Sequence, residues 1–225
     1  VPRKTEAEWR AEVEVEKAPR REAIKREWLA SIDRHIAGSG VSEMSLGATL
    51  AQFPVELTEK ARETVGLFLT GKNGRGKTYF AAAVIRDYLE RVDSVFEDEF
   101  HVEPREVREI LPVMVSVPEL MLELQATNDR NRTADEATML EALAKYTDTP
   151  LLVLDDLGAE KLSEFTALAL YVIIDKRWRT KLRTIVTSNL DLEGVALRFS
   201  GRIASRLAGM CQIIKFAGSD RRLSR

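Results

Sequence analysis

VGLFLTGKNGRGKT, residues 65–78, decides the fold of this chain of 225 residues. Its first six residues are an apolar run of the kind that fills a buried strand. Its last eight, Gly71 through Thr78, match the pattern G-x-x-x-x-G-K-[ST] in full. Residues 78–91 leave the loop as a predicted helix, with Phe80, Val84 and Tyr88 on one stripe. Strand, glycine-rich loop and helix in that order make a phosphate cradle. Gly71, Gly74 and Gly76 let backbone N–H groups turn toward phosphate oxygens without a Cβ in the way. The helix N-terminus adds the positive end of its dipole. Lys77 is expected at the β- and γ-phosphates of a nucleotide, and Thr78 on Mg²⁺. Asn73, Arg75 and Tyr79 are the other expected nucleotide contacts.

Outward from the loop, strand and helix patterns alternate. Apolar runs at 113–117, 151–154, 184–187 and 212–216 predict four further strands. Helical patterns fall between them at 119–125, 134–145 and 164–178. Strands separated by helices imply right-handed crossovers and a five-stranded parallel sheet covered on both faces. Residues 90–109 are acid-rich and poorly periodic, which predicts a surface insertion. Before the loop, residues 1–37 are dense in charge of both signs. Within that run Trp28, Ile32 and Ile36 recur every fourth residue and share one helix face. That face suits a partner's groove or the chain's own core. The AGSG stretch at 37–40 is expected to act as a hinge. The chain therefore divides into a helical, partner-binding N-terminal segment, 1–40, and an α/β domain, 41–225.

Composition limits the partners. The chain has 34 Lys+Arg against 36 Asp+Glu, a formal net charge of −2. That excludes a globally basic nucleic-acid coat, so any such binding must come from a local patch. The single cysteine excludes an internal disulfide framework and a cysteine-rich zinc site. No apolar run approaches the ~20 residues of a membrane span. No signal-peptide pattern opens the chain. A soluble, cytoplasmic protein without a membrane partner is expected.

The chemistry gathers at strand ends. The apolar run 151–154 leads into Asp155 and Asp156, which is the second half of a P-loop ATPase site. Asp155 is expected to hold Mg²⁺, and Asp156 to orient or deprotonate the attacking water. Asp reaches about an ångström less far than Glu, and a misplacement of that order can cost ~10²-fold in rate, so slow turnover is expected. Asn189 closes the run 184–188, where an amide can sense the γ-phosphate or simply form a turn. Arg202 and Arg206 are four residues apart on one predicted helix face, fit either for phosphate or for a local salt bridge.

Taken together, VGLFLTGKNGRGKT, SVPELMLEL, LLVLDDLGAEK, TIVTSNL and GRIASRLAGM resemble the DnaC/IstB family of AAA+ ATPases, the bacterial and phage helicase loaders and their transposon relatives. The resemblance implies an AAA+ P-loop core without a C-terminal lid, with ATP and Mg²⁺ as cofactors. It implies ATP hydrolysis that depends on self-association through ATP-bridged interfaces. It makes Asn189 the sensor-1 residue and Arg206 an arginine finger acting in trans, with Arg202 beside it. Lys161, Ser163 and Phe165 fall where such loaders meet single-stranded DNA. The implied function is an ATP-dependent loader that assembles on single-stranded DNA and delivers the hexameric replicative helicase. The IstB branch implies instead a transposition ATPase that remodels target DNA for a transposase. A third reading is a nucleotide-switched binding module with negligible turnover.

Overall fold

The structure, a computed structural model, describes residues 5, 19, 22–23, 25–91, 111–127 and 138–218. Its strands are β1 (Gly66–Thr70), β2 (Val113–Ser116), β3 (Leu151–Leu157), β4 (Arg183–Ser188) and β5 (Gln212–Lys215). They form one five-stranded sheet in the order β2-β3-β4-β1-β5, with every neighbouring pair parallel. The helices are α1 (Ile32–Gly38), α2 (Val55–Glu63), α3 (Lys77–Glu90), α4 (Val117–Ala126), α5 (Met139–Asp148), α6 (Glu164–Thr180), α7 (Leu192–Arg198) and α8 (Gly201–Met210).

Strand periodicity divides the core in two. Leu67, Leu69, Leu151, Val153 and Ile185 pack under α3, with Phe80, Val84 and Leu89. Phe68, Leu152, Leu154 and Val186 point the other way, toward Leu120 of α4, Ile173 of α6 and Leu207 of α8. Both faces of the central strands β1, β3 and β4 are covered, so these are near-continuous apolar runs, whereas edge strand β5 leaves Ile213 exposed. From β1 the chain crosses to β2 at one edge, and from β4 it passes over β1 to β5 at the other. The connections part at β1 and β4, and the crevice beyond their C-terminal ends is where such sheets bind ligands.

Several boundaries differ from the sequence reading. The strand expected at 151–154 runs on through Asp155 and Asp156 to Leu157, with a register shift against β4 between Leu154 and Leu157. The helix expected from 119 starts at Val117, because the Ser116 hydroxyl accepts from the Glu119 N–H at 3.3 Å and caps it. The helix expected from 134 starts at Met139 behind a Thr138–Glu141 capping box, and 134–137 lie outside the described residues. The insertion expected at 90–109 also lies outside them, apart from Glu90 and Arg91. After β5 the described residues end at Gly218 without a further helix.

The face shared by Trp28, Ile32 and Ile36 is buried against the chain's own core. Trp28 Nε1 donates to the Leu89 carbonyl at 2.9 Å, and Arg86 Nη2 bonds Asp33 at 2.5 Å. Burying each such side chain contributes about 1.5–3 kcal/mol, so the contact outweighs the exposed ion pairs around it. The AGSG stretch is correspondingly not a loose hinge. The Ser39 carbonyl accepts from the Met114 N–H at 2.6 Å. Gly40 takes φ 87°, and a Cβ there would lie 2.2 Å from the Met114 carbonyl oxygen. Glycine serves here for close approach to the edge of the sheet.

Candidate nucleotide site

The phosphate loop joins β1 to α3, with Gly71, Gly74 and Gly76 at φ 142°, 73° and 90°, the region open to glycine. Lys77 is buried and folds across the loop. Its Nζ donates to the carbonyls of Gly71 at 2.6 Å and Lys72 at 3.1 Å, and to Asn189 Oδ1 at 2.9 Å. Asn189 Nδ2 in turn donates to Asp156 Oδ1 at 3.3 Å. An ammonium only donates and a carboxylate only accepts, so these partners fix the orientation of the amide between them. An open cavity of about 490 Å³ is lined by Lys72, Asn73, Arg75 and Asn189.

On the neighbouring strand the Asp155 carboxylate accepts from Thr78 Oγ1 at 2.9 Å and from Thr187 Oγ1 at 2.7 Å. Burial pushes its carboxyl above the usual carboxylate range, against the pull of those two hydroxyls. Asp156 lies at φ 58°, in the left-handed region that Asp tolerates better than most side chains. Its N–H donates to Thr187 Oγ1 at 2.9 Å, replacing a ladder bond where the register shifts. The irregularity re-aims Asp156 toward Asn189, a common use of a bulge beside a site. Thr187 thus orders both aspartates, and the sequence reading missed it. Its one signal was a hydroxyl two residues before Asn189 at a strand end. Thr78 and Asp155 bring hard oxygen donors together at hydrogen-bond distance. That donor set fits Mg²⁺, which takes one or two protein oxygens and completes its shell with water and phosphate.

Other expected site residues lie apart from this cluster. Tyr79 is half-buried, its ring 6.2 Å from that of Phe53. Arg206 bonds Asp175 through Nε and lies over the rings of Trp178 at 4.8 Å and Tyr171 at 5.5 Å. Asp175 also pairs with Arg179 at 2.9 Å, and the Arg206 guanidinium beside it holds its carboxyl below the usual range. Arg202 is exposed and pairs with none of the described residues. Ser163 caps α6, accepting from the Thr166 N–H at 3.1 Å. Phe165 packs partly into the second core, and Lys161 is exposed.

The fold is that of a P-loop core of AAA+ type. No protein-family model matches the chain. The replicative helicase loader DnaC of Buchnera aphidicola subsp. Baizongia pistaciae is 23% identical over 201 residues, which cover 83% of this chain and 74% of that protein. The loader DnaI of Bacillus subtilis is 24% identical over 212 residues, 88% of this chain and 60% of that protein. A crystal structure of the DnaC helicase loader superposes with a TM-score of 0.60 at 22% identity, covering 78% of this chain and 100% of that one. The chain is a family-level homologue of the DnaC/DnaI helicase loaders. Homology to an ATPase family implies nucleotide hydrolysis. Among the described residues no helix is long and apolar enough to cross a membrane.

Proposed function

We propose that this chain is an ATP-dependent helicase loader that assembles on single-stranded DNA and delivers a hexameric replicative helicase to it. The observation that carries the reading is the chain of contacts from Lys77 through Asn189 to Asp156, in a homologue of the loaders. ATP is the substrate. Lys77 trades its loop carbonyls for β- and γ-phosphate oxygens. Thr78 and Asp155 would hold Mg²⁺, which would supply positive charge to offset that of the phosphates. Asp156 accepts a proton from the attacking water. Asn189, between the ammonium and Asp156, is the group whose contacts change with the γ-phosphate.

Arg206 acts on the nucleotide of a neighbouring copy, where a guanidinium stabilises the transferring phosphoryl group. Asp175 holds its Nε. Arg202, exposed one turn away, is the second arginine of that surface. Lys161 offers a phosphate contact for single-stranded DNA, with Ser163 and Phe165 shaping the start of α6 behind it. The helicase is held by the N-terminal segment, through surface other than the Trp28 face. The test is placement of the cognate helicase on circular single-stranded DNA. The expected result is placement that needs ATP and this chain and is lost with Lys77→Ala. Placement that proceeds equally without the chain rejects the loader reading.

A further inference from the structure

Immediately after the two aspartates, residues 158–163 run to the cap of α6, and one buried acid sits at their centre. Glu160 is 4% exposed. Its Oε2 accepts from the Gly158 N–H at 3.0 Å. Its Oε1 faces Arg198 Nε at 3.9 Å, and both atoms are buried with no hydrogen-bond partner among the described residues. That separation is beyond a hydrogen bond. The rest of the arginine is anchored, since its Nη2 donates to the Glu160 carbonyl at 2.6 Å. The Arg198 side chain is 35% exposed, but the Glu160 carboxylate is buried, and a buried charge left just out of hydrogen-bond reach of its partner is costly and calls for an explanation.

Its location supplies one. Arg198 ends α7, the helix that follows Asn189 and Leu190. Leu190 packs on Gly158 so tightly that a Cβ there would meet its Cδ1 at 2.8 Å. The Ser188 hydroxyl donates to the Leu157 carbonyl at 2.6 Å and accepts from the Leu190 N–H at 3.0 Å. The segment 188–198 therefore grips the loop 157–160 at both ends, with Asn189 inside the grip. We propose that Glu160 and Arg198 form a clasp that tightens when a nucleotide engages Asn189, so that they act as positioning residues for the loop 158–163. This rests on the reading of Asn189 as a nucleotide-facing residue. It adds the route by which the nucleotide reaches Lys161.

The experiment is hydrogen exchange over residues 157–163, with and without a non-hydrolysable ATP analogue, beside a binding titration of the same analogue. In the wild type, nucleotide should slow exchange there by about fivefold or more, the low end of ordinary site-to-site coupling. Glu160→Gln keeps an oxygen for the Gly158 N–H and removes the charge. It should bind the analogue normally yet lose the nucleotide-dependent difference. A merely structural role would change exchange equally in both states. Arg198→Lys keeps the charge without the Nε and should give the same result, even if the Gln variant fails to fold. A difference that persists in a folded variant overturns the clasp. So does a wild type that binds the analogue without any change in the loop, and that outcome leaves the ATP site standing. A wild type that binds no analogue removes the site reading and the clasp together.

Discussion

Asp155 shows at a single residue how a site can work against its own fold. Its carboxyl is raised above the usual range, mainly by burial. The folded chain therefore keeps a proton that the unfolded chain has already lost, and stability falls as pH rises through that window. Asp155→Asn keeps an acceptor for Thr187 and adds a donor for Thr78. It should melt at or above the wild-type temperature at neutral pH and lose that pH dependence, as read by thermal scans across the acid range. Hydrolysis should fall on the order of 10²-fold, because the neutral amide no longer balances a cation. Arg206 poses the opposite question, since its ion pair also fits a structural role. Arg206→Ala leaves Asp175 paired with Arg179, so the fold should hold. ATP binding by each copy should persist, while ATP-dependent assembly and most hydrolysis disappear. Mixing it with Lys77→Ala should restore activity, because one interface then combines an intact Lys77 with an intact Arg206. A mixture that stays inactive while both variants fold and associate excludes action in trans.

At the scale of elements, Arg177 falls inside the helix expected at 164–178 with no role assigned to it, yet it is fully buried. Its guanidinium donates to Thr184 Oγ1 at 2.9 Å and to the carbonyls of Tyr146 at 3.0 Å, Thr149 at 2.8 Å and Arg183 at 2.5 Å. It thereby pins α6 to the end of α5 and the start of β4, and burial brings its pKa down to about 10. Arg177→Met should destabilise by roughly 3–5 kcal/mol, read from the denaturation midpoint, since several buried carbonyls lose their donor together. The pattern of charges near 176–179 does not distinguish this residue, because which arginine turns inward depends on the tertiary partners. Strands β1, β3 and β4 were legible for the converse reason: runs buried on both faces are apolar almost without interruption. The phosphate loop was legible because its glycine spacing is tied to one backbone shape. The path of β3 past Asp156 was not, since carboxylates near a strand's end look the same whether the ladder stops or bulges. Helix α7 was missed because seven residues carry too little periodicity to stand out from a turn.

For the whole molecule, the N-terminal segment is the part that the sequence left most open, and the packing of Trp28 decides its attachment. Gly40→Ala places a methyl against the Met114 carbonyl at an unfavourable φ. It should cost more than about 1 kcal/mol. It should also shift Trp28 emission to the red, measured with Trp9 and Trp178 replaced by Phe. Removing residues 1–40 should lower the melting temperature, because it strips Trp28, Ile32 and Ile36 from the core. Those three residues rest on α3, whose other end is the phosphate loop. Fourteen residues make it a rod of about 21 Å. On the proposed function, a helicase gripping the N-terminal segment would hold one end of a lever whose other end faces the nucleotide site. If ATP then changes the affinity for the helicase, thermodynamic reciprocity demands that the helicase change the affinity for ATP by the same factor.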